Sequence, residues 1–305
     1  MFGAGFEPGD VAVDDGAGGE VRIHAVRGGE GPPVLLLHGF PQSHVMWHRI
    51  APELARDHTV VAADLRGYGD SGRPASGPHH AGYSFRAMAA DQVALMQALG
   101  FDRFAVVGHD RGARVTHRMA LDHPHRVERL ALLDILPTVY VYDHVDRAVA
   151  TAYYHWFFLI QPADLPERLI GCDPLYYLHR SLGSWGSGLE AHAPDALREY
   201  ERVFADPAAR HAMVEDYRAG ASIDLEHDAA SAAAGERITA PCLVLWGERG
   251  VVGKNPTSPL EVWRTVAANP TQVVGAAVAD AGHFLAEENH RATLSALQAF
   301  LGDRP

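Results

Sequence analysis

Short apolar runs rich in β-branched residues recur along the chain and alternate with longer stretches of helical patterning. Five such runs lie at residues 34–37, 60–63, 104–107, 130–133 and 243–246. Strands that alternate with helices favour a mainly parallel sheet with helices packed on both faces. One helix is predicted at residues 85–99 and a last helix at about residues 291–301. The pattern therefore predicts an α/β fold built on one central sheet.

The alternation stops between the fourth and fifth predicted strands. Residues 139–234 show no strand pattern and are rich in aromatic residues and helix formers. The prolines that divide this stretch into short predicted helices are Pro162, Pro166, Pro174 and Pro194. Because α/β folds bind ligands at the carboxyl edge of the sheet, an all-helical insertion there predicts a cap over the binding site. We therefore predict a core domain of residues 1–138 and 237–305 and a helical cap domain of residues 139–236.

Composition and charge limit the compartment and the partners. The formal net charge is −12, which argues against a nucleic acid or an anionic membrane as a partner. The N-terminus lacks a basic stretch followed by an apolar run, and no run approaches the ~20 apolar residues that span a bilayer, so we expect a cytoplasmic protein. Cys172 and Cys242 are predicted to be buried core thiols, and residues 229–234 are interpreted as a flexible return linker.

The strongest local motif is Gly108-His109-Asp110-Arg111-Gly112, which follows a predicted buried strand and precedes an amphipathic helix. Small residues on either side of a central nucleophile are typical of a nucleophile elbow, here with Asp where hydrolases more often carry Ser. Because the turn is sharp, side chains at positions 108 and 112 are expected to collide with the neighbouring strand and helix. The alternative is an ordinary strand-to-helix turn in which Asp110 caps the helix.

An aspartate nucleophile indicates a different reaction from a serine. A carboxylate can displace a leaving group from an sp3 carbon and form an alkyl ester with the enzyme. Water activated by a histidine then attacks the carbonyl carbon of that ester, which belongs to the aspartate itself. Asp110 therefore points to the opening of a carbon–halogen bond or an epoxide and away from the hydrolysis of acyl esters. Water and carboxylates supply this chemistry, so we expect no metal and no organic cofactor.

A histidine late in the chain is the expected base. His283 follows a strand-like stretch and precedes the final predicted helix. The acid that orients it has two candidates, Asp134 at the end of the fourth predicted strand and Glu248 just after the fifth. A buried acid would fix the tautomer of His283 and stabilise its protonated form. We favour Asp134.

Two features of the predicted core suggest how a substrate is held. The backbone N–H groups of Phe40, in a His-Gly-Phe-Pro loop, and of Arg111 are predicted to form an oxyanion hole. Arg111 and Arg114 lie three residues apart on the helix after the nucleophile, so both can face the site. A helix N-terminus favours anions, and guanidinium groups bind carboxylates. The alternative is that these arginines offset the charge of Asp110 or Asp134, or lie on the surface.

Aromatic residues of the predicted cap are candidates for binding a leaving anion. His155, Trp156 and Tyr217 each carry an N–H or O–H donor that needs a partner when buried. Three such donors suit a small, strongly hydrated anion such as fluoride. The alternative is that this aromatic cluster only provides hydrophobic packing.

Together these motifs resemble the fluoroacetate dehalogenases, a haloacid-processing branch of the α/β hydrolases. The resemblance extends over nearly the whole chain and includes residues 108–138, 154–156 and 215–220. It implies an α/β-hydrolase fold, a small anionic substrate and a homodimer. The catalytic residues that it implies are Asp110, His283 and Asp134. The implied ligands are Arg111 and Arg114 for the substrate carboxylate and His155, Trp156 and Tyr217 for the halide, with Trp185 lining the pocket.

Two other functions stay open. Epoxide hydrolases share the His-Gly-x-Pro loop and an aspartate nucleophile, but they commonly carry Trp after the nucleophile and use two cap tyrosines as proton donors. Arg111 occupies the position of that Trp, whereas Tyr154 and Tyr217 are candidates for the tyrosine pair. A non-catalytic binding protein on a hydrolase scaffold is the other alternative, but it does not require a complete set of nucleophile, base and acid. We therefore predict a hydrolytic dehalogenase of short 2-haloacids.

Overall fold

The computed structural model describes residues 1–302. Within them, eight strands form one sheet: β1 Phe6–Asp14, β2 Glu20–Gly28, β3 Pro33–Leu37, β4 Thr59–Ala63, β5 Phe104–His109, β6 Val127–Leu133, β7 Cys242–Gly247 and β8 Val273–Val278. Their order across the sheet is β1-β2-β4-β3-β5-β6-β7-β8. β2 pairs with β1 and β4 in antiparallel orientation, and all other pairs are parallel. The predicted α/β fold with a mainly parallel sheet is confirmed.

The five predicted strands lie within β3 to β7. Every residue of β4 and β5 is buried, as the continuous apolar runs indicate for strands covered on both faces. The antiparallel strands β1 and β2 were not among the predicted strands. Most of β1 is exposed, so its sequence contains no apolar run to mark it. β8 corresponds to the strand-like stretch before His283.

Helices cover the sheet and fill the insertion. They are α1 Ala51–Leu54, α2 Phe85–Ala98, α3 Arg111–Asp122, α4 Thr138–Asp143, α5 Arg147–Ala152, α6 Tyr154–Leu159, α7 Leu165–Cys172, α8 Pro174–Trp185, α9 Pro194–Phe204, α10 Pro207–Gly220, α11 Ile223–Ala233, α12 Pro259–Arg264, α13 Leu285–Glu288 and α14 His290–Gly302. Short 3-10 turns occur at His44–Trp47, Pro78–Tyr83, Leu189–Ala191 and Pro270–Gln272. The predicted helices at residues 85–99 and 291–301 match α2 and α14.

The chain between β6 and β7 is helical throughout, from α4 to α11, as expected for the insertion. Pro166, Pro174 and Pro194 lie in the first turns of α7, α8 and α9, where a residue without a backbone N–H is tolerated because that group has no helical partner. The division into a core domain and a separate cap domain stays a prediction.

Two predictions for this insertion are wrong. Cys172 is exposed, whereas Cys242 is buried as expected, because α7 buries only Pro166 and Ile170 and leaves its C-terminal residue in solvent. The stretch 229–234 is not a linker, since α11 includes all of it except Ala234. Alanine has the highest intrinsic helix propensity, so an Ala-rich stretch with neighbours to pack against is helical.

The carboxyl ends of the parallel strands bring the predicted core residues together. Asp110 follows β5, Asp134 follows β6 and Phe40 lies three residues after β3, and these strands are neighbours in the sheet. Parallel strands end at the same edge, which is where α/β folds bind ligands. Among residues 1–302, no helix has the length and apolar character needed to cross a membrane.

Candidate active site

The turn between β5 and α3 has the strained geometry of a nucleophile elbow. Asp110 has φ 45° and ψ −115°, a conformation that non-glycine residues rarely adopt and that is often found at functional sites. A Cβ atom at Gly108 would lie 2.4 Å from the carbonyl oxygen of Gly112, and one at Gly112 would lie 2.3 Å from that of His38. Any side chain at positions 108 and 112 would therefore collide with neighbouring backbone atoms, as expected from the sequence. Asp110 makes no side-chain hydrogen bond to the helix that follows it, so it is not an ordinary helix cap.

The carboxylate of Asp110 is buried and strongly favoured in its charged form. Burial works to raise its pKa, but electrostatic interactions with His283, His109 and the two arginines of α3 together lower the pKa to about 2. The backbone N–H of Phe40 donates to Oδ2 at 3.0 Å. Of the two expected oxyanion-hole donors, the N–H of Phe40 therefore already contacts the carboxylate. Within residues 1–302 the backbone N–H of Arg111 makes no such hydrogen bond.

His283 and Asp134 form a hydrogen-bonded pair. Nδ1 of His283 lies 2.7 Å from Oδ2 of Asp134, and the N–H of Gly247 donates to Oδ1 at 2.9 Å. Burial lowers the pKa of His283, but the hydrogen bond and charge of Asp134 outweigh it and raise the pKa above its ordinary value. Glu248, the other candidate acid, is exposed. The structure thus places Asp134, and not Glu248, against the imidazole.

A second histidine supports the backbone of this pair. Nε2 of His109 lies 2.8 Å from the carbonyl oxygen of His283, and the two rings are 4.6 Å apart. Burial lowers the pKa of His109 to about 3, so the ring is neutral and donates to that carbonyl. No role was predicted for His109 from the sequence, although its position inside the elbow motif was the available signal.

The two arginines of α3 have different partners. Arg111 binds Asp216 of α10, with Nε donating to Oδ2 at 2.8 Å, and its guanidinium group lies between the rings of Phe85 and Tyr217 at 4.6 and 4.4 Å from their centres. Its Nε and Nη2 are therefore occupied by the protein itself. Only Nη1 of Arg111 is left for a substrate, so the predicted role of the two arginines as ligands for a carboxylate stays a prediction.

Arg114 is buried without a carboxylate partner among residues 1–302. Its Nη1 donates to the carbonyl oxygen of Leu136 at 3.0 Å and to Oγ1 of Thr138 at 2.9 Å, whereas its Nε–H has no hydrogen-bond partner. The guanidinium carbon lies 4.5 Å from the centre of the Trp156 ring. Burial lowers the pKa of Arg114, opposed by the charge of Asp110, yet a guanidinium group stays protonated in proteins. A buried cation with a free donor is therefore present beside the nucleophile.

These groups surround a small cavity. Its volume is about 30 Å³, and its lining residues are Asp110, Arg114, Asp134, Ala152, Tyr153, His155, Trp156, Trp185, Val251 and His283. One water molecule needs roughly 10–15 Å³ of such space, so the cavity admits only a small molecule. The other three expected site residues are not in the lining but lie directly behind it: Phe40, Arg111 and Tyr217.

The cap residues around the cavity carry neutral donors. Burial lowers the pKa of His155 to about 3, so its ring is uncharged, and its Nδ1 is buried without a hydrogen-bond partner. The same ring lies 4.1 Å from the Trp185 ring and 5.9 Å from the Tyr217 ring. Burial raises the pKa of Tyr217 well above 10, so its O–H stays protonated. His155 thus faces the cavity, with Tyr217 packed against it.

Three lining residues were missed by the sequence analysis: Ala152, Tyr153 and Val251. Tyr154, a candidate proton donor of an epoxide hydrolase, is exposed, and its neighbour Tyr153 lines the cavity instead. The short helices α5 and α6 meet at this point, and the sequence does not indicate which of two adjacent tyrosines points inward.

Two clusters of side chains with metal-ligand chemistry lie outside the cavity lining. His24, His44 and Asp64 form one, in which Nδ1 of His44 lies 3.0 Å from Oδ1 of Asp64. Glu167, His211 and Glu215 form the other, where Arg218 donates to both glutamates. Hydrogen bonds and ion pairs within the protein account for both clusters.

Comparisons with known proteins agree with this architecture. Residues 32–290 match the family model of the alpha/beta hydrolase fold. A fluoroacetate dehalogenase from a Burkholderia species is 48% identical over 93% of this chain and 92% of its own. A soluble epoxide hydrolase from Corynebacterium sp. strain C12 is 35% identical over 88% and 89% of the two chains. A solved structure from Nostoc sp. PCC 7120, provisionally described as an α/β hydrolase, is 55% identical over the whole of both chains with a TM-score of 0.93. The expected resemblance to fluoroacetate dehalogenases is confirmed, and the chain belongs to the α/β-hydrolase fold family.

Proposed function

We propose that the protein hydrolyses the carbon–halogen bond of short 2-haloacids such as fluoroacetate, releasing halide and a 2-hydroxy acid. The observation that carries this proposal is the buried guanidinium group of Arg114, which lines a small cavity beside Asp110 and whose Nε–H has no hydrogen-bond partner. A buried cation without a bound carboxylate is unfavourable unless a ligand supplies the negative charge. An anionic substrate would complete that pair, and the 48% identical fluoroacetate dehalogenase supports the same substrate class.

In the first step Asp110 attacks the α-carbon of the substrate. Arg114 holds the substrate carboxylate, with the unoccupied Nη1 edge of Arg111 as the second expected ligand. A new C–O bond forms to Oδ1 of Asp110 while the carbon–halogen bond breaks, and its electron pair leaves with the halide. A pKa of about 2 keeps Asp110 ionised at neutral pH, so this step needs no base.

In the second step His283 activates a water molecule. The imidazole accepts a proton as the water oxygen attacks the carbonyl carbon of the aspartyl ester, and Asp134 stabilises the imidazolium that forms. The N–H of Phe40 is placed to stabilise the oxyanion, because it already donates to Oδ2 of Asp110. Collapse of this intermediate releases the 2-hydroxy acid and restores the Asp110 carboxylate, and the proton on His283 returns to solvent.

Formation of the ester also prepares the base. The negative charge of Asp110 is one of the causes that raise the pKa of His283. That charge disappears when Asp110 is esterified, so the imidazole pKa falls and its neutral form becomes more populated. The nucleophilic step therefore favours the basic form that the hydrolytic step requires.

The departing halide is expected to bind the neutral donors of the cap. His155 lines the cavity and has a ring nitrogen without a hydrogen-bond partner, Trp156 also lines the cavity, and Tyr217 packs against His155. Donors that carry no charge still replace part of the hydration shell of a small anion. The small cavity, narrowed by Trp185, favours short acids. The cytoplasmic location and the homodimer are further predictions from the sequence on which this proposal does not depend.

Epoxide hydrolysis is the second candidate function. Tyr153 lines the cavity, burial raises its pKa, and a 35% identical relative is a soluble epoxide hydrolase. A protonated tyrosine can donate to the oxygen of an opening epoxide. A neutral epoxide, however, leaves the charge of Arg114 uncompensated, which is why the haloacid is preferred.

The test is the release of fluoride from fluoroacetate and chloride from chloroacetate, with styrene oxide hydrolysis measured alongside. Asp110→Asn is expected to abolish halide release. His283→Asn is expected to release one equivalent of halide and to retain a carboxymethyl group on Asp110, which mass spectrometry of the digested protein locates. Asp102→Asn, on an exposed side chain, is the matched control and should behave as the unmodified protein.

Arg114→Met separates the two candidate functions. It should raise KM for haloacids by at least ~10-fold, since a charge-assisted hydrogen bond contributes about 1.5–3 kcal/mol. It should not impair the hydrolysis of a neutral epoxide. Epoxide hydrolysis without halide release would contradict the proposal, and chloride release without fluoride release would restrict it to weaker carbon–halogen bonds.

A further inference from the structure

The lining of the active-site cavity has a buried side and a partly exposed side. Its partly exposed residues are Ala152, Tyr153, Trp185, Val251 and His283. Three of these five, Ala152, Tyr153 and Val251, also line a second cavity of about 310 Å³. The two cavities are therefore neighbours separated by a thin wall, and that wall is on the side of the active site that approaches solvent.

The second cavity lies between the helical insertion and the core. Its walls are the end of the β6 loop, α4, α5 and residues 251–256. Several of these wall residues, among them His144, Ala148 and Pro256, are exposed, so the cavity is accessible from outside. Tyr153 and Val251, together with Ala152, line both cavities and therefore lie between the outer cavity and Asp110.

Lys254 is part of the outer cavity wall and is the only lysine in the sequence. It is exposed, and its ammonium group forms no ion pair with any of residues 1–302. The acidic residue in the same wall is Asp146, whose carboxylate accepts the N–H of Val149 at 2.8 Å and caps α5. An ammonium group without an ion pair thus lies in the wall of a cavity that adjoins the active site, in the same wall as the exposed carboxylate of Asp146.

We propose that the outer cavity is the entrance for the anionic substrate, that Tyr153 and Val251 form its inner gate, and that Lys254 attracts the substrate to it. The formal net charge of −12 repels an anion at long range, so a local cation at the entrance raises the rate of encounter. The gate restricts passage by width and thereby contributes to the size limit of the acid. This inference rests on the proposed function because it assumes an anionic substrate.

The attraction is tested by the rate at which a haloacid binds. Asp110→Asn provides a background without turnover, and Trp156 and Trp185 in the cavity lining provide a fluorescence signal for stopped-flow measurement with chloroacetate. Lys254→Gln should lower the association rate constant about two- to five-fold at ~0.01 M ionic strength, where the Debye length is about 30 Å. The difference should vanish near 1 M, where the Debye length is about 3 Å. Arg103→Gln is the matched control, because it removes one exposed charge before β5, away from the cavity.

The gate is tested by substrate size in the same background. Val251→Ala should raise the association rate of 2-chlorobutyrate relative to chloroacetate by several-fold, since a smaller side chain widens the passage. Val274→Ala, at an exposed residue of β8, is the control and should leave the ratio of the two association rates unchanged. An association rate in Lys254→Gln equal to that in Arg103→Gln at every salt concentration would overturn the role of Lys254. An unchanged size ratio in Val251→Ala would overturn the gate.

If the proposed function is wrong, the binding experiments give a different result. In that case Asp110→Asn does not bind chloroacetate at all, with or without the other substitutions. Styrene oxide and a larger neutral epoxide then replace the two acids in the Val251→Ala comparison. A changed ratio between these epoxides supports the entrance and the gate, and an unchanged ratio overturns both.

Discussion

Asp216 of α10 binds Arg111 of α3 along one edge of the guanidinium group. Nε of Arg111 donates to Oδ2 at 2.8 Å, Nη2 donates to Oδ1, and Nη2 also donates to the backbone carbonyl of Asp216 at 2.7 Å. Tyr68 donates to the same Oδ2 at 2.6 Å. Neither charged side chain is more than 2% exposed. Because Asp216 belongs to the insertion and Arg111 follows the nucleophile, this pair connects the insertion to the start of the catalytic helix.

The first prediction concerns the stability provided by this pair. Asp216→Asn keeps the size of the side chain but removes the charge, which leaves Arg111 buried without a counter-ion. Breaking a buried pair in this way typically lowers the free energy of unfolding by about 3–5 kcal/mol. Chemical denaturation followed by circular dichroism measures the change.

Asp195→Asn is the matched control for that experiment. Asp195 pairs with Arg198 on the surface of α9, and both side chains are 68% exposed. Exposed pairs contribute about 0–1 kcal/mol, so this variant should unfold close to the unmodified protein. Equal free energies of unfolding for the two variants would show that the Arg111–Asp216 pair does not hold the structure together.

The second prediction concerns Gly220, the last residue of α10. A Cβ atom there would lie 2.9 Å from Nη2 of Arg111, which is closer than real Cβ contacts. Gly220→Ala should therefore displace the guanidinium group and raise KM for haloacids without a comparable loss of kcat. Gly171→Ala is the control, because a Cβ at this position of α7 meets nothing within 4 Å. The control should be more stable by up to about 1 kcal/mol, since Ala favours a helix over Gly. Steady-state kinetics measure KM and kcat of the two variants, and thermal unfolding measures their stability.

The Arg111–Asp216 pair also illustrates what the sequence could and could not predict. The elbow was predictable because a strand, two glycines and a helix lie within a few residues of Asp110. Asp134 was predictable because it ends a buried strand and the ends of parallel strands share one edge. Asp216 lies 105 residues from Arg111, on the 14-residue helix α10 of the insertion, and local patterns carry no information about such a contact.

The same reason explains the misses within the insertion. Short helices bury few residues, so which side chain points inward depends on packing with the core and not on periodicity. Tyr153 and Tyr154 are adjacent in sequence, yet one lines the cavity and the other is exposed. Cys172 was predicted to be buried from its residue type alone, but it ends a helix whose last two residues are exposed.

The third prediction concerns pH. The nucleophilic step needs Asp110 ionised, and its pKa of about 2 means that this step keeps its rate over the whole acidic range in which the protein is folded. The hydrolytic step needs neutral His283, and the hydrogen bond and charge of Asp134 continue to favour its protonated form after Asp110 is esterified, so protonation at low pH removes the base. With hydrolysis rate-limiting, kcat should fall as the pH decreases while kcat/KM for haloacids stays nearly constant. Halide release across a pH series measures both.

Asp134→Asn tests whether the His283–Asp134 pair is responsible for the fall of kcat at low pH. Without the carboxylate the imidazole loses the hydrogen bond that raises its pKa and fixes its tautomer. The expected loss of kcat is on the order of 10³–10⁴-fold, as for the equivalent change in other triads, with the aspartyl ester accumulating. Glu248→Gln should have little effect, because Glu248 is exposed. Parallel losses of kcat and kcat/KM in Asp134→Asn would contradict a role confined to ester hydrolysis.

The fourth prediction concerns the halide. His155 lines the cavity with a neutral ring whose Nδ1 has no hydrogen-bond partner, and the ring lies 4.1 Å from that of Trp185. His155→Phe keeps an aromatic ring for that packing but removes the donor. Fluoride, the smallest halide, holds its hydration shell most tightly, so its release depends most on protein donors that replace water. Loss of one donor to a developing charge reduces rates by about 10²–10³-fold, and we expect that loss for fluoroacetate and a much smaller one for bromoacetate.

Tyr154→Phe, at the exposed neighbouring residue, should leave the ratio of the two rates unchanged. Equal losses for fluoride and bromide in His155→Phe would mean that His155 shapes the cavity and does not bind the leaving anion.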